Sequence, residues 1–465
     1  MTLFLAVMVT DVIILDVFNT LGMPTSTTVS LVFELLGGAF ILATLKMYGD
    51  DSLNYGVLLN SNKALEVIMG IFSSVIIAFV FGAFVMWLSR IIFTFNYRKH
   101  SRYSIAIFGG IAFTALSYFI FMKGLGKSPY LPAEWRDYID QNLGLLLCIT
   151  FVGSAIVMEF LHLCRINIFK FTVLMGTFAL AMAFAGNDLV NFIGVPLAGL
   201  SSYQDYMANA NGATPDQFMM TSLMDSAKTT PVYLLAAGAV MIIAMVTSKK
   251  AQNVIKTSVD LSRQDEGDEM FGSSSAARVI VRNCQATDSW LKQFMPKALM
   301  NWINSRFDKN EVELEESAAF DVVRAAVNLV LASMLITIGT NLKLPLSTTY
   351  VTFMVAMGSS LADRAWSRES AVFRVTGVLS VIGGWFITAG VAFAACAIVC
   401  IIMHFGGIGI QSCFMALVIF LLIRSNIQYN KKAKEESKGS TFQLMMRSHD
   451  PEIVCCLLYT SDAAD

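Results

Sequence analysis

Asp188 is an acid inside an apolar run, with Asn187 beside it and Asn191 one helical turn further on, in the phrase Gly186-Asn187-Asp188-Leu189-Val190-Asn191. A charged aspartate at the centre of a spanning helix costs about 2.5 to 3.5 kcal/mol on insertion scales, so its default reading is functional, with a partner to be named. No lysine or arginine in that run can neutralise it. If the stretch is helical, Asp188 and Asn191 share a face and, with Asn187, form one polar patch. The bland alternative is a structural knot of amides tying helices together, which suits the asparagines better than the carboxylate.

Two hydroxyl-rich phrases accompany it. Pro24-Thr25-Ser26-Thr27-Thr28 returns as Pro345-Leu346-Ser347-Thr348-Thr349, each ahead of an apolar run. Proline in a first turn forfeits no hydrogen bond, and the free amides of a helix start carry about half a positive charge. Three hydroxyls added to such a start make a cup that can surround an oxyanion without a lysine or arginine. For a single copy the better reading is that Ser26, Thr27 and Thr28, or Ser347, Thr348 and Thr349, merely cap the helix or bond back to the preceding turn. Pro345 follows Pro24 by 321 positions, and Gly358 follows Gly37 by the same interval. That shared register points to duplication, and two copies favour the functional reading.

An anion cup beside a carboxylate is repulsive unless a cation or a proton sits between them, so anion and cation should favour each other's binding. That is the logic of symport. Oxygen ligands from Asn187, Asp188 and Asn191 suit a small hard cation such as sodium, whereas a protonated Asp188 would serve a proton-coupled version. The acceptor carboxylate also favours phosphate, which keeps a proton to donate, over sulfate, which does not. The expected function is therefore secondary active transport of inorganic phosphate across the plasma membrane (the inner membrane of a bacterium) by symport with sodium or protons, without a cofactor. A channel, or a transporter of another oxyanion such as sulfate, is the alternative. An enzyme is not expected, because the apolar runs offer no Ser-His-Asp or metal-ligand set.

The elements that must position these groups are membrane helices. Hydrophobic residues make up 55% of the 465 and charged residues 14%, with mean hydropathy +0.62. Such a balance belongs to a multi-pass protein whose surroundings are the lipid bilayer. The net charge of -1 argues against a nucleic-acid partner. With about 20 apolar residues needed per crossing, candidate spans fall near 3–21, 27–45, 65–95, 103–122, 143–163, 170–200, 231–247, 321–341, 347–361, 371–403 and 408–423. Gly186 and Pro196 interrupt the 170–200 run, which predicts a broken or re-entrant helix around a cavity. Basic residues around 90–102, 165–170, 249–250, 364–374 and 424–434 mark cytosolic loops. On that map the helix after Pro24 starts toward the cytosol and the one after Pro345 toward the outside. The fold class is all-α, with inverted-topology repeats and broken or re-entrant helices. It divides into 1–123 (rest of a first repeat), 124–246 (spans carrying the Asn-Asp phrase), 247–319 (polar cytosolic loop or small subdomain), 320–424 (rest of the second repeat) and 425–465 (start of a cytosolic tail).

Taken together, the phrases resemble those of the PiT-type inorganic phosphate transporters, whose two inverted halves each carry a Gly-x-Asn-Asp-x-x-Asn and a Pro-x-Ser-Thr-Thr phrase. The resemblance covers the chain to about residue 424. It implies that Ser26, Thr27, Thr28, Asn187, Asp188, Asn191, Ser347, Thr348 and Thr349 line the phosphate and cation sites; assembly with a second copy is compatible with it. One departure stands out. The first-half Asn-Asp phrase has no match in the 23 residues before Pro24, which suggests that Met1 is an internal start. Asp11, Asp16 and Asn19 occupy that region without the required spacing. Glu34 lies in the following apolar helix as a candidate proton carrier or buried partner. Residues 455–465 show neither caps nor period and read as an artefact of truncation or assembly.

Overall fold

The computed structural model describes residues 2–20, 26–49, 53–95, 102–118, 132–210, 212, 214, 218, 230–247, 274–294, 296–307, 321–342, 344, 346–364 and 370–447. Pro24, Thr25, Pro345 and the 455–465 end lie outside these residues.

The described chain is helical, without a strand, as expected where lipid offers backbone amides no partner and each segment must satisfy its own. The helices are α1 (Thr2–Thr20), α2 (Thr27–Gly49), α3 (Tyr55–Leu58), α4 (Ser61–Phe93), α5 (Arg102–Ser117), α6 (Ala133–Gln141), α7 (Leu143–Leu163), α8 (Ile168–Asn209) and α9 (Pro231–Thr247). They continue as α10 (Ser275–Phe294), α11 (Lys297–Arg306), α12 (Val322–Asn341), α13 (Thr348–Ala362) and α14 (Ser370–Arg447). Among the described residues, six of them are long and apolar enough to cross a membrane. The chain is a multi-pass membrane protein.

Two of the expected interruptions come out differently. Within α14 the backbone leaves the helix at Gly407, where φ is 60, a conformation that glycine adopts without a Cβ clash. The helix therefore kinks where the 371–403 and 408–423 runs divide. By contrast, α8 passes through both Gly186 and Pro196 as one helix from Ile168 to Asn209, so the expected break in the 170–200 run is corrected. Gly186 has no positive φ, and a proline inside an apolar helix is tolerated where surrounding groups take up the freed carbonyl. Asn167 starts α8 by accepting the Phe169 and Lys170 amides.

Around α8 the two repeats form interlocked hairpins. In the first, α1 and α2 run antiparallel, with Leu3 near the start of α1 packed on Gly38 well inside α2. In the second, Asp321 at the start of α12 and Asp363 at the end of α13 are held by a single guanidinium, that of Arg90 on α4. A Cβ on Gly37 of α2 would strike the Phe393 carbonyl of α14, and one on Gly358 of α13 would strike the Phe79 carbonyl of α4. Each hairpin's second helix thus packs backbone to backbone against the long helix of the other repeat. Small residues are the usual means of such contact where lipid removes the hydrophobic drive and dispersion must hold the helices. Tyr350 of α13 adds a stack on Trp385 of α14, with ring centroids 3.7 Å apart.

All five N–H donors of Arg90 are used. Nε and Nη2 reach Asp363 at 2.5 and 2.8 Å, Nη1 and Nη2 reach Asp321 at 3.0 and 2.9 Å, and Nη1 also donates to the Thr94 carbonyl at 2.8 Å. Arg324, also buried, donates to Ser360. The polar 247–319 stretch contributes α10 and α11. It folds back on this end of the bundle through Arg306, which donates to the carbonyls of Ile91 and Ile92, and through Asn304, which accepts from Arg364.

Candidate functional site

The hairpin tips are where α2 and α13 begin, and their local chemistry is set by one serine each. Ser26 accepts the Val29 amide at 3.2 Å, and Ser347 accepts the Tyr350 amide at 3.1 Å. Both are helix caps, so for the two serines the bland reading of their hydroxyls describes the geometry. The threonines behave otherwise. Thr28 accepts from the Asn191 side-chain amide at 2.7 Å. Thr348 donates to Asp188, with its hydroxyl 3.1 Å from Oδ1 and 3.3 Å from Oδ2. Asn187 donates to Asp188 at 3.2 Å and to the carbonyl of Leu346 at 3.3 Å.

One turn of α8 therefore holds both tips, the first through Asn191 and the second through Asp188 and Asn187. The tips arrive from opposite ends of α8. Phe4 of the first hairpin lies by Gly199, whereas Leu329 and Val330 of the second lie by Gly176. At 1.5 Å per residue these contacts sit about 12 Å and about 18 Å away from the tips, in opposite directions. The repeats are inverted. The two helix starts, expected to open toward opposite faces of the membrane, converge within about 5 Å along α8, because a single polar turn supplies the partners of both.

The arrangement is not register-symmetric. In the first copy the third hydroxyl, Thr28, bonds to α8; in the second it is the middle one, Thr348. The remaining hydroxyls, Thr27 and Thr349, are half-buried and make no side-chain hydrogen bond among the described residues. The carboxylate of Asp188 is met by neutral donors, and no ion pair reaches it among the described residues. Such a site holds a negative group ready for a cation or proton, with two further hydroxyls close by in sequence.

A family model of phosphate transporters matches residues 1–258. The chain belongs to the phosphate transporter family. The match takes in the first hairpin tip and the Asn-Asp turn of this transporter, while the second tip, at 346–349, follows it in sequence. No curated protein and no solved structure matches the chain. Membership agrees with the multi-pass architecture and places the transporter in the plasma membrane.

Sequence reasoning named the residues that meet here but not who meets whom. The Leu346 carbonyl, a backbone group, had no residue-type signal to betray it. Of the acids near the first tip, neither Asp11 nor Glu34 bonds to this turn of α8; they pack with Ser30 within the first hairpin. Asp16 has its own contacts, and the side chain of Asn19 lies outside the described residues.

Proposed function

We propose that this transporter moves inorganic phosphate by symport, with a sodium ion or a proton neutralising Asp188 as phosphate occupies the two hydroxyl-bearing helix starts. The observation that carries the reading is the convergence of both inverted tips on one turn of α8 that carries an unneutralised carboxylate. A phosphate oxyanion approaching Thr27, Thr28, Thr348 and Thr349 would be repelled by a bare Asp188. With a cation held by Asp188, Asn187 and Asn191, the repulsion becomes attraction, and neither solute is retained well alone. Phosphate has the further advantage of a proton to donate to an acceptor that sulfate cannot satisfy. Because the tips enter from opposite ends of α8, a small rocking of either hairpin would expose the same site to one side or the other.

The test is uptake of radiolabelled phosphate into vesicles containing the purified chain, with sodium and proton gradients imposed or collapsed. Saturable accumulation that requires one of those gradients supports symport; accumulation at full rate with both collapsed refutes it. Asp188→Asn keeps the Thr348 and Asn187 contacts in shape while removing the charge. It is expected to abolish gradient-driven uptake with the fold intact, and normal uptake by this variant would remove Asp188 from the mechanism.

A further inference from the structure

The first hairpin contains a second acidic site that the transport cycle above does not use. Asp11 of α1 is 3% exposed and Glu34 of α2 is fully buried. Ser30, one turn before Glu34, donates to its Oε1 at 2.8 Å, and Asp11 lies close beside the pair. Oδ1 of Asp11 and Oε2 of Glu34 are buried without any partner, and neither acid takes part in an ion pair among the described residues. From α14 the titratable neighbour is the Cys396 thiol, which lies against Thr10, Glu34 and Gly38, with Cys400 behind it. On α8, Asp188 is engaged by Thr348, and on α3, Tyr55 bonds to Thr44, further along α2. None of these supplies a cation.

The repeat provides an internal control. At the interval of 321 residues, Asp11, Ser30 and Glu34 correspond to Ala332, Val351 and Val355, all buried in the second hairpin. The same fold closes over plain hydrocarbon there, so the acids and the serine are not needed to make a hairpin. Hydrogen-bond counting then says what they need. One hydroxyl proton cannot serve two ionised acceptors, and a buried oxygen left facing a lone pair is costly. A proton on one carboxyl resolves this, because that acid becomes neutral and gains a donor while Ser30 keeps its own proton for Glu34.

We propose that Asp11, Ser30 and Glu34 form a proton-binding site, and that release of its proton forces α1 and α2 apart and so loosens the Thr28 contact with Asn191. Two carboxylates side by side in an apolar interior repel without solvent to screen them. Thr28 lies two residues before Ser30 on the same helix, so the disturbance is carried directly to the tip. Proton occupancy and the phosphate site are thereby linked. That link rests on the transport reading; the bound proton does not.

Infrared titration of the full chain in lipid vesicles tests the proton. A protonated-carboxyl absorption is expected at neutral pH, and Glu34→Gln should lose it. The triple variant Asp11→Ala, Ser30→Val, Glu34→Val, which copies the second hairpin and should fold for that reason, should lose it too. Absence of the band in the unaltered chain, or its persistence in both variants, overturns the site. Phosphate uptake against pH tests the link: dividing variant by unaltered uptake cancels the titration of phosphate itself, and the ratio for Glu34→Gln should rise with pH. A flat ratio overturns the link. If the unaltered chain accumulates no phosphate, the transport reading and the link fall together, while the infrared result still decides whether the proton is there.

Discussion

The two hairpins are built to one plan and neutralise their buried acids in opposite ways. In the second, Asp321 and Asp363 sit at the open end and share Arg90, whose five donors are all satisfied. In the first, Asp11 and Glu34 sit between α1 and α2 beside Ser30 and the Cys396 thiol, with no cation paired to them among the described residues. A guanidinium keeps its charge at every physiological pH, so the second pair retains its counter-charge through neutral and alkaline conditions. A pair with no cation can be balanced only by something that arrives from solution. The comparison separates an anchored hairpin from a responsive one, although both deliver the same kind of tip to the same turn of α8.

The contrast is broken most severely at Arg90. Arg90→Met takes from Asp321 and Asp363 the guanidinium that pairs with both, leaving the buried Arg324 as a neighbouring cation, and removing one partner of a buried ion pair typically costs about 3 to 5 kcal/mol. The expected outcome is loss of the monodisperse, thermally stable protein in detergent. The apolar triple change in the first hairpin, which removes its acids together, should leave the melting temperature near or above that of the unaltered chain. If Arg90→Met melted normally, the second hairpin would not be anchored in this way.

A second contrast concerns the tips. Thr348→Val removes a hydroxyl donated to a carboxylate, a bond of about 1.5 to 3 kcal/mol. Thr28→Val removes a neutral acceptor, about 0.5 to 1.5 kcal/mol. Uptake kinetics should show Thr348→Val weakening the half-saturating concentration of the coupling cation by roughly tenfold or more, and Thr28→Val changing it several-fold less. Equal effects would mean that the asymmetric registration of the two copies has no functional consequence.

Where the hairpins are alike, their responses should match. Gly37→Ala and Gly358→Ala each force a methyl into a facing backbone carbonyl, and overpacking of this kind costs about 1 to 3 kcal/mol. Similar falls in melting temperature are expected for both, since each glycine locks its hairpin to the other repeat's long helix. A loss confined to one would show that the interlock is one-sided.

These glycines also mark how far the sequence could be read. Helix positions followed from apolar runs, because lipid forbids any other spanning backbone in such a chain, and the register of the duplication placed Gly37 opposite Gly358. The same register pointed to Ser26, Thr27, Thr28, Ser347, Thr348 and Thr349 as a set. It could not say that the two serines cap while Thr28 and Thr348 bridge to α8, since all six hydroxyls have the same chemistry and only the orientation of α8 distinguishes them. The continuity of α8 was misread for a related reason. Gly186 and Pro196 weaken a helix locally, whereas packing by two hairpins along its length is a tertiary effect invisible in composition. Glu34 was visible as a buried acid, but its pairing with Asp11 depended on the closing angle of α1 against α2.

The finest test of the shared plan is the caps. Ser26→Ala and Ser347→Ala each remove one hydrogen bond to a first-turn amide, and losing such a cap costs about 1 kcal/mol. Were the serines chiefly phosphate ligands, alanine would depress uptake and leave melting unchanged; as caps, they should lower the melting temperature by comparable small amounts. The two hairpins differ in how tightly their bases are held, so the functional consequence should not be equal. A loosened first turn in α13 is restrained by Asp363 on Arg90 at the far end of the same helix. The corresponding loosening in α2 adds to whatever freedom the Asp11 and Glu34 pair allows. Ser26→Ala should therefore make uptake more sensitive to alkaline pH than Ser347→Ala does. Identical pH profiles for the two variants would show that fraying of a tip is not governed by the neutralisation of the acids in its hairpin.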